Sequence, residues 1–284
     1  MLRSNALIDA GSGAISWILK SNGRIVGISA VAVLLSIAVF QDLISPYSLS
    51  ERFPPFLHPS LEHLLGTNDV GKDIFAELVH GARISLSIGF LAAAISLGIG
   101  VTVGTIAGYY RGKVESFVLA MTDVVIVIPT LPLLLIFVVY MSPGIISMSL
   151  AISILGWGGM ARILHPRVMT LKEMPFIEAA RSMGRSDIYI IVKHVIPNCK
   201  EIIWAKFAMA VGGAILAESS MAFLGLGDPL HLSWGGIINE AYTHGGLSLG
   251  LWWWYTIPGM LIALVILAFM FIGNSKGEDK WGSK

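Results

Sequence analysis

With 284 residues, of which 55% are apolar and only 13% charged, the chain lacks the charge that keeps the surface of a soluble globule wet. Its mean hydropathy is +0.76, and a bilayer accepts the apolar surface that water would not. The formal net charge of +1 argues against nucleic-acid binding as the main task, and the single cysteine, Cys199, leaves neither a disulfide framework nor a cysteine metal cluster within the chain.

A membrane span takes about 20 mostly apolar residues. Six stretches meet that requirement: 25–44, 84–108, 117–140, 145–164, 202–226 and 252–273. The pattern predicts an all-α polytopic membrane protein with six transmembrane helices. The first stretch has a second reading, a cleaved signal peptide. It is long for one, its N-terminal flank is extended, and no small-residue cleavage site follows it. Lys and Arg accumulate on the cytoplasmic side of membrane proteins. With the N-terminus inside, sixteen of them fall on that side, and only Arg52, Lys72 and Arg83 fall outside. Both termini are therefore expected in the cytoplasm, in a multi-pass cell-membrane protein.

Taken in order, the second span carries a small residue at every fourth position: Ala92, Ser96, Gly100, Gly104 and Gly108. At 3.6 residues per turn these line one helix face and let another helix approach closely. The stripe reads as bundle packing or as a seam that slides during transport. The third span holds Pro129 and Pro132, which predict a kink or an unwound turn near its middle. That kink is either architectural or part of a transport path. Two acids lie within spans, Asp123 and Glu218. An ionisable group there needs a partner or water, and no basic residue is expected beside either at midplane depth. They read as hydrogen-bonding groups or as proton-coupling groups of an ion-coupled secondary transporter.

The cytoplasmic loop 165–201 is the informative one. Pro175 suits the first turn of a helix. Phe176, Ile177, Ala179, Ala180 and Met183 give that helix an apolar face. Gly184 stops it by taking a positive φ. Ser186 and Asp187 can cap a second short helix, and Pro197 is expected to end it. Such a helix pair either rests on lipid headgroups or docks a partner protein, to which the small Ala179 and Ala180 would allow close approach.

Glu178-Ala179-Ala180, then Gly184, then Ile196-Pro197 resemble the EAA signature of ABC-importer permeases. His194-Val195-Ile196-Pro197-Asn198 resembles the form of that signature in the peptide and nickel branch. Three further strings resemble the same branch in the same order. They are Gly66-Thr67-Asn68-Asp69-Val70-Gly71-Lys72-Asp73, Gly81-Ala82-Arg83-Ile84-Ser85-Leu86, and Glu218 through Gly227, which Trp234-Gly235 follows. Asn68, Lys72, Met221 and Ala222 depart from the usual residues, as does the tail after Gly273. The chain looks most like the C-type partner of dipeptide, oligopeptide and nickel permease pairs.

The resemblance implies a type I ABC-importer permease (MetI-like) fold. It would comprise a cytoplasmic segment 1–24, a first helix 25–44, an extracytoplasmic segment 45–83, a five-helix core 84–273 including the coupling loop 165–201, and a cytoplasmic tail 274–284. It implies a translocation path formed with a homologous permease, two ATPase subunits carrying ATP and Mg, and an extracytoplasmic substrate-binding protein. Phe176, Glu178, Ala179, Ala180, Gly184, His194 and Pro197 would couple to the ATPases. Pro129, Pro132, Glu218, Gly100 and Gly104 would serve the path or its packing. No phosphate-binding loop and no nucleophile–base set is present, so no cofactor is expected in this chain and catalysis is expected of its partners. The cargo, whether a peptide or a nickel-type chelate, is not legible.

Overall fold

The computed structural model describes residues 22–142 and 144–273. Most of the expected N-terminal segment, residues 1–21, and all of the tail 274–284 lie outside the described residues.

Helix α1 (Asn22–Val39) is apolar and 18 residues long. That is short of the about 20 residues of a full crossing; a break at Phe40 and a single turn, α2 (Gln41–Ile44), follow it. The segment 45–73 then folds back on itself. Gly66 and Gly71 take φ of +70° and +77° there, and the Asn68 side-chain oxygen accepts the Val70 and Lys72 amides. The turns end at Asp73, whose carboxylate caps α3 by accepting the Ala76 amide at 2.8 Å. His63 Nδ1 lies 2.8 Å from the other Asp73 oxygen and holds the cap in place.

Helix α3 (Ile74–Tyr110) has 37 residues. At 1.5 Å per residue it is about 55 Å long, against about 30 Å of hydrocarbon. It contains the expected span 84–108 and overhangs it at both ends. Two broken crossings follow. Helix α4 (Lys113–Val127) and α5 (Thr130–Met141) meet at 88°. Pro129 forces Ile128 out of the helical region, to ψ 130°, while Pro132 falls in the first turn of α5, where its missing N–H is harmless. The expected kink is thus a complete break. Helix α6 (Ile145–Gly156) and α7 (Gly158–Lys172) meet at 43° around Trp157, where Gly156, Gly158 and Gly159 weaken the helix. Helix α7 runs beyond the expected end of the fourth span.

The short helices of the expected coupling loop are α8 (Pro175–Ser182) and α9 (Asp187–Ile190). After α9 comes a π-helical turn, Ile191–Val195, then α10 (Ile196–Asn198). Helix α11 (Lys200–Met221) continues through a second π-helical turn to Leu226. A further helix, α12 (Trp234–Thr243), lies in the segment expected as a loop. Helix α13 (Trp252–Gly273) matches the expected sixth span. By length and apolarity α3, α11 with its π turn, and α13 can each cross a membrane unaided, and each bent pair can supply one more crossing.

Helix α3 is the axis, with α1, α6, α7 and α11 packed around it. The small-residue stripe explains how. A Cβ on Gly100 would lie 2.7 Å from the Trp157 carbonyl oxygen, one on Gly104 2.7 Å from that of Ala161, and one on Gly108 2.6 Å from that of His165. Ser153 Oγ donates to the Ala92 carbonyl at 3.0 Å. The stripe therefore seats α6 and α7 against α3 at backbone distance. Gly104→Leu should push α7 off α3 and lower stability by about 1–3 kcal/mol. Gly98→Ala, at a position with open space, should leave it unchanged. Thermal unfolding of the detergent-purified protein measures both, and equal melting would refute the seat.

Candidate functional site

The segment of α8 and α9 has one face turned to its own protein and one left open. Ile177, Ala180, Ile190, Val195 and Cys199 are buried together with Tyr109, Leu164, Val168 and Leu171. Phe176, Met183, Ile188, Tyr189 and Val192 are exposed. The paired alanines divide: Ala179 is open, whereas Ala180 is 3% exposed and packs inward. Glu178 is exposed in the first turn of α8, where a carboxylate meets the positive end of the helix. Gly184 has φ +74° with open space around its Cβ position, as a helix stop requires. Ser186 caps α9 by accepting the Tyr189 amide. The His194 ring stands 6.3 Å from that of Phe176 and 5.9 Å from that of Tyr189, so the two helices meet over it.

Pro197 does not end the second helix as expected. Its ring crowds the carbonyl four residues earlier, and the preceding turn widens so that the Ile196 amide donates to Ile191. The chain then re-enters helix at Lys200.

Tyr109, which no motif singled out, ties this segment to the C-terminal end of α3. Its hydroxyl donates to Asp187 Oδ1 at 2.7 Å and accepts from Arg181 Nη2 at 3.3 Å. That hydroxyl pushes the Arg181 pKa further up. The Lys172 ammonium donates to the Tyr109 carbonyl. Burial pushes the Cys199 thiol up, so it is an unreactive core group.

At the opposite end of the bundle, three of the sequence strings come into contact. Glu218, 1% exposed on α11, accepts from Ser219 Oγ at 3.2 Å and Ser85 Oγ at 3.4 Å. The Trp234 amide donates to Ser85 Oγ, and its indole N–H donates to the Leu78 carbonyl at 2.9 Å. A Cβ on Gly235 would lie 2.5 Å from the Ser219 carbonyl oxygen. Residues 81–86, 218–227 and 234–235 are thus one junction joining α3, α11 and α12. In α12 behind it, burial raises the pKa of Glu240.

Asp123 requires a correction. No basic residue was expected beside it, yet Arg162 Nη2 lies 2.6 Å from its Oδ1. The two are 39 positions apart, and only the side-by-side packing of α4 and α7 brings them together. Pro129 and Pro132 sit at the α4–α5 break, exposed, while Gly100 and Gly104 are buried against α7. Among the described residues no group of three or more His, Cys, Asp or Glu side chains is placed to hold a metal ion.

Residues 100–275 match the family described as binding-protein-dependent transport system inner membrane component. The chain belongs to that family and is a multi-pass membrane permease subunit of an ABC importer, in which hydrolysis of ATP falls to separate subunits. It is 33% identical to the dipeptide transport system permease protein DppC of Bacillus subtilis (strain 168), over 90% of this chain and 80% of that protein. It is 34% identical to the glutathione transport system permease protein GsiD of Escherichia coli O6:K15:H31 (strain 536 / UPEC), over 86% of this chain and 81% of that one. Its fold matches a chain of the MetNI methionine ABC transporter in an inward-facing conformation, with a TM-score of 0.58 at 19% identity, covering 70% of this chain and 94% of that chain.

Glu218 therefore has hydroxyl partners and needs no transported proton to account for it. Glu218→Gln should keep most ATP-driven uptake, because the amide oxygen still accepts from both serines. Glu218→Ala leaves two buried hydroxyls without their acceptor and should lose about 1–3 kcal/mol of stability. Uptake that follows a proton gradient and vanishes in Glu218→Gln would count against the importer reading.

Proposed function

We propose that this chain pairs with a homologous permease to form a translocation path for short peptides, and that α8 and α9 dock one of the complex's two ATPase subunits on the cytoplasmic side. The single observation that carries the docking is the open apolar face of Phe176, Ala179, Met183, Ile188 and Val192 on a segment whose other face is fixed to the protein. A cytoplasmic segment with this much exposed apolar surface is suited to a protein partner. Dipeptide and glutathione permeases among the relatives support peptides over a nickel-type chelate. The excess of Lys and Arg on one side supports cytoplasmic termini. An extracytoplasmic binding protein would deliver cargo at the outer junction, and ATP with Mg would act on the ATPases alone.

In this reading, closure of the ATPases displaces α8 and α9 as a unit, because Gly184 and the rings around His194 fix their mutual angle. Tyr109, Asp187 and Arg181 pass that displacement to α3. A rod about 55 Å long reaches the junction of Glu218, Ser85 and Trp234 at the other face. The breaks at Pro129 and Trp157 give the bundle places to bend while α3 stays straight.

Gly184→Val tests the docking. A β-branched residue at φ +74° costs roughly 1–2 kcal/mol, while nothing lies near enough to clash. The protein should insert and purify normally, yet lose ATPase co-purification or hydrolysis stimulated by loaded binding protein. Normal assembly and stimulation would show that α8 and α9 are not the coupling element. Tyr109→Phe tests the link to α3. It removes hydrogen bonds worth about 1.5–3 kcal/mol each where a charged group takes part. ATPase binding should persist while stimulated hydrolysis and uptake fall together, and unchanged uptake would rule the link out.

A further inference from the structure

A groove between α1 and α3 serves neither the coupling segment nor the junction at Glu218. Leu35, Ala38 and Val39 line it from α1, and Arg83, Leu86, Ser87 and Phe90 line it from α3. Both sets recur at three- and four-residue spacing, so each is a single helix face. The cavity holds about 400 Å³, and its walls are apolar apart from the Arg83 guanidinium and the Ser87 hydroxyl. Phe90 is held in place by Phe207 and Phe269, whose ring centroids lie 6.2 and 5.6 Å from its own.

The mouth of the groove lies at the edge of the apolar layer. Residues 25–41 and 84–110 carry no charged side chain, and Asp42 and Arg83 are the charges that bound those runs at this end. A guanidinium there keeps its head at headgroup level while its stem covers apolar surface. Arg83 is exposed and makes no hydrogen bond or ion pair among the described residues. Asp42 is near enough to act on His80, as Arg83 also does, but it does not pair with Arg83.

An apolar trough is complementary to a hydrocarbon chain, and an unpaired guanidinium to an oxyanion, which its planar fork takes by two parallel hydrogen bonds. A phospholipid carries both groups in this order, its phosphate at the interface and its acyl chains below. Among the described residues no acid lines the groove to hold the ammonium of a zwitterionic headgroup, so a headgroup with net negative charge fits better. We propose that the groove between α1 and α3 is a binding site for an anionic phospholipid, with Arg83 on its phosphate, Ser87 donating to a glycerol ester oxygen and one acyl chain running from Val39 towards Phe90. The lipid would fill the seam between α1 and α3. The site depends neither on the cargo nor on the docking of α8 and α9.

The test uses the complete importer, delipidated in detergent and titrated with palmitoyl-oleoyl phosphatidylglycerol or phosphatidylcholine under native mass spectrometry. The parent should hold one phosphatidylglycerol about fivefold more tightly than phosphatidylcholine, as for one basic residue at a lipid surface. Arg83→Gln should lose that preference and Arg83→Lys should keep part of it. Ser87→Leu, which fills the groove from an exposed position, should weaken binding of the tightest lipid while leaving Arg83 in place. Both substituted side chains point outward, so either variant can decide the matter if the other fails to assemble. A large excess of inorganic phosphate should not displace the lipid, because the acyl chain holds it; displacement would show an anion site and overturn the proposal. Equal retention by the parent and Arg83→Gln would overturn it as well. Ser87→Cys in a Cys199→Ser background separates lipid from protein as the occupant. Maleimide should label Cys at this position in the delipidated complex, and phosphatidylglycerol should slow the labelling. No labelling without lipid would mean that another subunit covers the groove, and the proposal falls.

Discussion

The structure depends on one close approach, the contact of α3 with α6 and α7 at backbone distance. In a bilayer the hydrophobic effect does not drive helices together, so association rests on dispersion contacts and on hydrogen bonds between helices. Gly100, Gly104 and Gly108 give α3 a flank without side chains, and the carbonyls of Trp157, Ala161 and His165 occupy that space. This contact sets the position of α7, and through it the position of the short helices that α7 leads into. It also brings Arg162 beside Asp123. Separated helices would leave α8 and α9 with no fixed relation to the membrane core.

The ends of α3 matter as much as its flank. The N-terminal end is held by Asp73 and His63, and the C-terminal end by Tyr109 with its three polar contacts. Between them the helix has no proline and no break. Its neighbours are broken at Pro129 and Trp157. The bundle therefore combines one unbroken member with two jointed ones, which suits a lever.

Much of this was legible in the sequence because it depends on local chemistry. Pro175 at a helix start, Gly184 at a helix stop and Ser186 as a cap are decided by their own backbone dihedrals and near neighbours. The small-residue stripe was legible because helix period alone places it on one face. What escaped was long-range. Tyr109 meets Asp187 across 78 positions, and Arg162 meets Asp123 across 39; neither spacing carries a periodic signal. The turn before Pro197 escaped for a different reason. A proline in a helical pattern reads as a stop, but here the preceding turn widens and accommodates it. Helix α12 was missed because its run is short and lies in a segment that reads as an outer loop. The expected site residues of the cytoplasmic segment do lie together, whereas the two prolines, Glu218 and the glycines belong to separate parts of the bundle.

The divided alanines carry a genetic consequence. Ala179 and Ala180 are adjacent and chemically identical, yet one opens outward and the other is enclosed by its own chain. A bulkier residue at 180 must fit into the buried cluster that Ala180 belongs to, so second-site revertants of such an allele should map within this gene. A bulkier residue at 179 leaves the permease intact and obstructs whatever lies against it. On the proposed docking, its revertants should map in the gene of the partner subunit, and their positions would trace the footprint of α8 on that subunit.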